Sequence, residues 1–348
     1  MECAGLKVRD YEERLHEKKY KRRLNKVMSE KEAVETFLHD GDSFCISGFV
    51  GWRQPESVIR EIARQGKKHL SLIDESCDSG GLDLLVALGA LDRIDIAYWP
   101  IRQVGGFSGL PAIDYCLREG VPRPLDGGGV LSTPTDKIKD DTPAVKLVDW
   151  TNFQISLRFM AGALNVPFIP NRSAMQTDIP SYNKDIRTMN DPFLNTPILL
   201  IPAYQPDVAF ISVQRADRRG NGQIWGMRGS EYWKARAAKH VVLLTEELVP
   251  TYKIYENAGL TVIPAYCTDA VVHLPFNCLP TGCYGMYTVE GLISTGHLIQ
   301  KQTHEGYLKW IDEWIYGTKD HMDWCDKIGW EIINRLAKSE RVYNRIPE

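Results

Sequence analysis

The sequence predicts an α/β protein, an open doubly wound sheet in three α/β/α layers. Three observations carry that reading. A short strand, a glycine-bearing loop and a helix recur three times between Ser43 and Gly120, the pattern of parallel strands joined by helices on the sheet faces. Right-handed crossovers would place all three glycine loops along one edge of that sheet. The chain has 348 residues, 43% hydrophobic and 25% charged, which suits one large α/β domain or two smaller ones.

Residues 1–28 form a charged arm in which Arg9, Asp10, Glu12, Glu13 and Arg14, then Lys18 to Arg23, leave too few apolar residues to bury a face. It is expected to be a solvated helix or partly disordered. The compact domain, 29–338, opens on Ser29, with Glu32 three positions on as a capping box. Ala33, Val34, Phe37 and Leu38 give that helix an apolar face, and His39 to Asp42 turns the chain into the first strand.

The first strand runs from Ser43 to the glycine loop Gly48-Phe49-Val50-Gly51-Trp52-Arg53-Gln54, and Pro55 opens a helix carrying Val58, Ile59, Ile62 and Ala63. Proline suits a first helical position because its missing N–H would go unpaired there. Leu70 to Asp74 is the second strand, followed by the loop Asp78-Ser79-Gly80-Gly81 and a helix from Leu82 to Leu88. Ile94 to Tyr98 is the third strand, followed by the loop Gln103-Val104-Gly105-Gly106-Phe107 and a helix from Pro111 to Glu119.

Residues 121–145 are rich in Pro, Gly and Asp and read as an exposed insertion. An amphipathic helix through Leu157, Met160 and Leu164 follows Asp149 to Asn152, and 171–190 reads as a long polar connection. Ile198 to Ile201 and Val208 to Val213 are strands, and 214–226 looks like a turn between two strands. A helix from Ser230 to Lys239 leads to a strand, Val241 to Thr245, with Glu246 and Glu247 at its carboxyl end; Ala270 to His273 is one more strand. Within 301–338, two helices interrupted near Gly317 would bury Trp310, Trp314, Ile315, Trp324, Ile328 and Leu336, leaving 339–348 as a tail.

Composition sets aside several function classes. A formal net charge of -3 gives no basis for nucleic acid or membrane as a partner. No apolar run approaches the roughly 20 residues of a membrane span, and residues 1–28 lack the apolar core of a secretory signal. The eight cysteines are scattered without C-x-x-C pairs, so a metal site is not expected and reduced thiols in the cytoplasm are. The histidines form no H-E-x-x-H spacing. Glu246 and Glu247 at a strand end are candidate catalytic carboxylates, though one exposed and one structurally paired acid is the expected arrangement. Glu75 beside Cys77 suggests a nucleophile with an acid, but no histidine lies near in sequence. A dinucleotide fold would need G-x-G-x-x-G after the first strand; here the glycines are at 48 and 51 and a proline opens the helix.

Ser47-Gly48-Phe49 followed by Pro55 resembles the glycine–phenylalanine loop of family I coenzyme A transferases. Longer stretches narrow the resemblance to the α (A) subunit of glutaconate CoA-transferase and its relatives: Val166 to Pro170, Asp207 to Ile211, Gln214 to Asp217 running through Ile224-Trp225-Gly226, and Thr245-Glu246-Glu247. Cys267 to Val272, Cys283 to Tyr287, Glu313-Trp314 and Lys319 to His321 extend it over about Met28 to Lys338.

The resemblance implies an α/β/α sheet domain paired with a homologous B subunit, often as α2β2. It implies CoA as a substrate, no permanently bound cofactor, no metal, and a nucleophilic glutamate on the partner, leaving no catalytic residue on this chain. This chain would then supply one wall of the crevice: Gly48, Phe49, Val50, Gly51, Arg53, Ser79, Gly80, Gly81, Gln103, Gly105, Gly106 and Phe107. Arg53 is the candidate for a substrate carboxylate, with a salt bridge to a helix acid as its other reading. The charged arm, the length of 121–145 and the sequence of 173–180 depart from the family and loosen glutaconate as the substrate. Ring-opening CoA-ester hydrolases or decarboxylases on the same scaffold are the enzyme alternatives. Thr151 and Asn152, where some ring-opening relatives carry an acid, disfavour the hydrolase branch. A regulatory protein retaining the fold is the non-enzyme alternative.

Overall fold

The spacing of Ser29 and Glu32 starts the fold as the sequence predicts. Ser29 Oγ accepts from Glu32 N at 3.2 Å, and the Glu32 carboxylate accepts from Ser29 N at 2.9 Å, capping α1 (Glu30–Phe37). The computed structural model describes residues 7–9, 23–76, 80–98, 103–104, 107–108, 111–113, 145–289, 297 and 300–343. Most of the 121–145 insertion and the 344–348 end of the tail lie outside them.

The three repeats form as read. β1 (Ser43–Ile46), α2 (Glu56–Arg64), β2 (Leu70–Asp74), α3 (Gly80–Ala87) and β3 (Leu91–Ile96) alternate, and the strands pair in parallel. The third loop holds a small antiparallel hairpin, β4 (Gln103–Val104) with β5 (Phe107–Ser108). Residues 111–113 of the next predicted helix are helical. β6 (Lys146–Asp149) then pairs in parallel with β3. The sequence reading has no strand there, because only Val148 of its four residues is buried.

α4 (Asn152–Leu164) starts on a second capping box, Thr151 with Gln154. The stretch read as a polar connection folds instead as α5 (Ile179–Tyr182) and β8 (Arg187–Asn190). With β7 (Phe168–Asn171) and β9 (Pro197–Pro202) it makes an antiparallel sheet ordered β7-β9-β8. β8 is an edge strand exposed at every residue, so it carries no apolar alternation to read.

The second half completes the main sheet with β10 (Val208–Asp217), β11 (Gly222–Gln223), α6 (Glu231–Ala237), β12 (His240–Val249), α7 (Thr251–Glu256), β13 (Thr261–Ile263) and β14 (Ala270–His273). Parallel strands run in the order β14-β12-β10-β1-β2-β3-β6, while β11 and β13 add an antiparallel annex on the far end of β10. The tail is α8 (His304–Ile311), a π-helical turn (Asp312–Tyr316), α9 (His321–Ile328) and α10 (Trp330–Tyr343). The predicted second tail helix is therefore two, divided at Gly329 with φ 100°.

Alternation along the strands sends side chains to opposite faces. Phe44, Ile46, Leu72, Phe210 and Leu244 pack under α1, α2, α3 and α8. Cys45, Ile73, Ile211, Leu243 and Val271 pack under α4 and α6. A separate cluster joins Trp225, Leu279, Tyr287, Trp324 and Leu336. α4 is also held by charge: the Asp95 carboxylate accepts from Arg158 Nη1 at 2.6 Å and from Trp150 Nε1 at 2.8 Å, with the Arg158 guanidinium 4.1 Å over the Trp150 ring.

Two described stretches of the N-terminal arm touch the fold, although Leu24 and Val27 remain exposed. Lys7 N donates to Ala203 O and its ammonium pairs with Asp207, while Lys26 Nζ donates to Ala265 O at 2.6 Å and Thr268 O at 2.8 Å.

Glu30 is buried in the first turn of α1, and its Oε1 has no hydrogen-bond partner among the described residues. Burial, with the Glu61 carboxylate adding to it against Arg60 and Arg64, pushes its pKa from 4.5 up to about 7. The folded state thus favours the protonated acid, so this contribution to stability is present below 4.5 and lost as pH rises to about 7. Glu30→Gln is expected to stabilise the protein at pH 8 by about 1–3 kcal/mol and not at pH 4. Urea denaturation at both pH values measures this; equal shifts at the two would refute it.

Candidate functional site

β1 and β10 are neighbours, yet the chain builds outward from them in opposite directions, through β2 and β3 on one side and β12 and β14 on the other. Such a switch point opens a crevice beyond the strand ends, where α/β proteins bind ligands. The loop after β1 stands there. Ser47 anchors it: its N–H donates to Phe210 O, its Oγ donates to Arg53 O at 2.8 Å, and Ser47 Oγ accepts from Ser212 N at 2.8 Å.

The loop is a tight hairpin. Phe49 N donates to Trp52 O at 3.0 Å and Trp52 N to Phe49 O at 3.2 Å, with Val50 at φ 43° and Gly51 at φ 76° between them. Two successive left-handed residues are the signature of a type I′ turn. Glycine fits it; a β-branched valine there is strained by about 1–2 kcal/mol, and such strain is characteristic of functional loops. Ser47, Gly48, Phe49, Trp52 and Arg53 all give their N–H groups to protein acceptors. The N–H groups of Val50 and Gly51, at the tip, have no acceptor among the described residues.

Buried charge supports the hairpin from below. Arg53, which is 1% exposed, donates from Nη2 to Glu231 Oε1 and Met227 O, both at 2.7 Å, and from Nη1 to Ser212 O at 3.3 Å. Glu231 Oε1 also accepts from Gly48 N at 3.2 Å. Burial would raise the Glu231 pKa, but Arg53 and Lys234 hold it below the usual carboxylate range. Lys234 Nζ donates to Ile46 O and Asp74 Oδ1, each at 2.8 Å, and lies 3.6 Å from Glu75. Burial opposes its charge, yet Asp74 and Glu75 hold the ammonium well above its ordinary pKa. Asp74 is pushed up to about 6, because burial outweighs the attraction of Lys234.

The proposed wall residues fare differently. The Arg53 guanidinium pairs inside the fold with the helix acid Glu231, so it braces the hairpin rather than opening onto the crevice. A Cβ on Gly81 would sit 2.8 Å from Ile59 Cγ2, so its lack of a side chain lets α3 pack on α2. Gly80 begins α3, and Gln103 and Phe107 lie in the β4–β5 hairpin, whereas Ser79, Gly105 and Gly106 fall outside the described residues.

Glu75 is buried at the end of β2. Its Oε1 accepts from Ser156 Oγ at 2.5 Å and from Ser230 Oγ, and its Oε2 from Ser230 N at 3.0 Å. Its neighbour Cys77 lies outside the described residues. Glu247 pairs with Arg215 at 2.8 Å. Glu246 is buried instead, accepting from Phe276 N at 2.6 Å, Asn277 Nδ2 at 2.7 Å and Tyr287 Oη at 2.6 Å. Glu246, Cys278 and Cys283 bring ligand atoms within 4.8 Å of one another, a cluster that no sequence spacing announces. Ser156, Ser230, Glu231 and Lys234 also escape the sequence reading, since their partners Glu75, Arg53 and Asp74 lie far away along the chain.

Fold and loop define an α/β chain that presents backbone donors at the switch point of a parallel sheet. The family model described as Coenzyme A transferase matches residues 27–100 and 144–274, and the chain belongs to that family. Among curated relatives it is 32% identical over 335 residues to an uncharacterised protein of Archaeoglobus fulgidus, covering 96% of this chain and 68% of that one. It is 29% identical to the A component of 3-oxoadipate CoA-transferase from Pseudomonas knackmussii, over 88% of this chain and 99% of that one. Its fold is that of the crystal structure of glutaconate coenzyme A-transferase from Acidaminococcus fermentans, with TM-score 0.75 and 24% identity over 89% of this chain and 95% of that chain. Among the described residues, no helix is long and apolar enough to cross a membrane.

Proposed function

We propose that this chain is the A-type subunit of a cytoplasmic, heteromeric CoA-transferase that moves CoA between an acyl-CoA and a carboxylic acid, dicarboxylic acids included. It works with a homologous B-type subunit in an α2β2 assembly, with CoA as substrate and no resident cofactor. The observation that carries the reading is the hairpin tip, where Val50 and Gly51 offer two N–H groups at the sheet's switch point.

The chemistry gives those donors a task. A glutamate of the partner attacks the thioester carbonyl; collapse of the tetrahedral adduct releases CoA thiolate and leaves an acyl-glutamyl anhydride. The thiolate attacks the glutamyl carbonyl, forming a glutamyl-CoA thioester and freeing the first acid. The acceptor carboxylate then runs both steps in reverse and leaves as its CoA ester. Every attack places negative charge on a carbonyl oxygen. A fixed N–H aimed at that oxygen typically contributes about 2.7–4 kcal/mol. The buried Arg53–Glu231 pair keeps the hairpin from reorganising as the charge forms.

The test is co-expression with the B-type subunit encoded beside this chain, incubation with an acyl-CoA panel, and peptide mass spectrometry. A CoA adduct on a partner glutamate is expected, with turnover that requires a free carboxylic acceptor. An adduct on Glu75 or Glu247, or CoA released in buffer alone, would overturn the proposal.

A further inference from the structure

We propose that Glu246, Cys278 and Cys283 form a binding site for one zinc-type divalent ion, which fastens the segment clamping the hairpin to the end of β12. The proposal stands independently of the transferase reading.

The three groups come from separated parts of the chain, the carboxyl end of β12 and the segment after β14, and all are buried. Their ligand atoms already lie within 4.8 Å of one another. A tetrahedral ion with sulfur and oxygen ligands would hold them roughly 3.3–3.8 Å apart, so closure asks for small side-chain movements. Two thiolates and one carboxylate suit zinc better than a hard, oxygen-seeking ion. A disulfide would account for the two cysteines but not for the acid aimed at them.

The surroundings resemble an outer ligand shell. Phe276 N, Asn277 Nδ2 and Tyr287 Oη all donate to the Glu246 carboxylate, and Tyr287 Oη accepts from Cys278 N at 3.0 Å. Such donors orient a ligating carboxylate. Ser212 Oγ lies 3.0 Å from Cys278 Sγ, and Ser212 O accepts from Arg53 Nη1, which ties the cluster to the support of the hairpin. The thiols ionise as they bind and release their protons to solvent.

The site has mechanical reach. Between the two cysteines, Gly282 O accepts from Arg53 N at 2.7 Å and Gly282 N donates to Gly51 O at 2.9 Å. Trp52 lies against the same glycine, where a Cβ would come 2.8 Å from its ring. An ion held by both cysteines therefore fixes the strut on which the hairpin leans.

Because the ligands are buried, the ion enters as the chain folds. The full chain, with its partner subunit if required, is produced in cobalt-supplemented minimal medium. The expected result is one cobalt per chain by elemental analysis, with the intense ultraviolet band of thiolate-to-cobalt charge transfer. Cys278→Ser should abolish the band. Tyr287→Phe should keep it but surrender the ion at about 10–100-fold lower chelator concentration. Absence of cobalt from the folded parent overturns the proposal whatever the variants do. So does a band that survives Cys278→Ser, or a metal-free protein carrying a Cys278–Cys283 disulfide.

Discussion

Gly48→Ala is expected to lower turnover of the assembled enzyme by about 10²–10³-fold, the loss seen when a donor to a developing oxyanion is removed. Gly48 sits at φ 103°, a backbone conformation that side chains rarely adopt. A Cβ there would lie 2.4 Å from Trp52 O and 2.8 Å from the carbonyl carbon and oxygen of Arg53. All three are backbone atoms, so no rotamer change relieves the clash. The hairpin must open, and the N–H groups of Val50 and Gly51 move with it. Gly66→Ala is the control: Gly66 also has positive φ, at +63°, but nothing lies within 4 Å of its Cβ site. That variant should lose about 1 kcal/mol of stability and keep parental turnover. Steady-state kinetics with thermal denaturation of both variants decides the matter; a Gly48→Ala enzyme that turns over normally would remove the hairpin from the mechanism.

Asp95→Ala should destabilise the fold by about 3–5 kcal/mol, because it removes one partner of a buried ion pair. Arg158 is wholly buried and its Nη1 donates to Asp95, which also takes Trp150 Nε1 and the Arg93 guanidinium. Burial alone would raise the Asp95 pKa, but Arg158 and Arg93 hold it below the ordinary aspartate range. Its contribution is therefore present above the unfolded pKa and lost as pH falls. Removing the carboxylate takes the 2.6 Å Asp95 partner from an Arg158 guanidinium that lies over the Trp150 and Tyr204 rings. Urea denaturation reads the effect, with the exposed Lys309–Glu305 pair as comparison, where Lys309→Ala should change little. A loss for Asp95→Ala as small as that one would show the network contributes no net stability.

The strand–loop–helix repeats, the capping box at Ser29, and the place of the loop after the first strand are all written in the chain itself. These features are local: period, cap and turn residues lie within a few positions of one another, so they are readable without a partner. The motifs from Val166 to His321 carry the family as well. The remainder needs the folded molecule. β6 and β8 have too little buried surface to leave an apolar pattern. A glycine loop does not reveal that its tip is a type I′ hairpin with a strained valine, since Gly282, far along the chain, holds Gly51 and Arg53 in place. Arg53 reads along the chain either as a ligand for substrate or as the partner of a helix acid, and Glu231, 178 positions away, decides it by taking the charge inside the fold. Glu75 meets Ser156 and Ser230, and Glu246 meets Cys278 and Cys283, by the same means. Long-range pairs of buried polar groups follow from how the crossovers stack, and spacing along a single chain holds no record of that stacking.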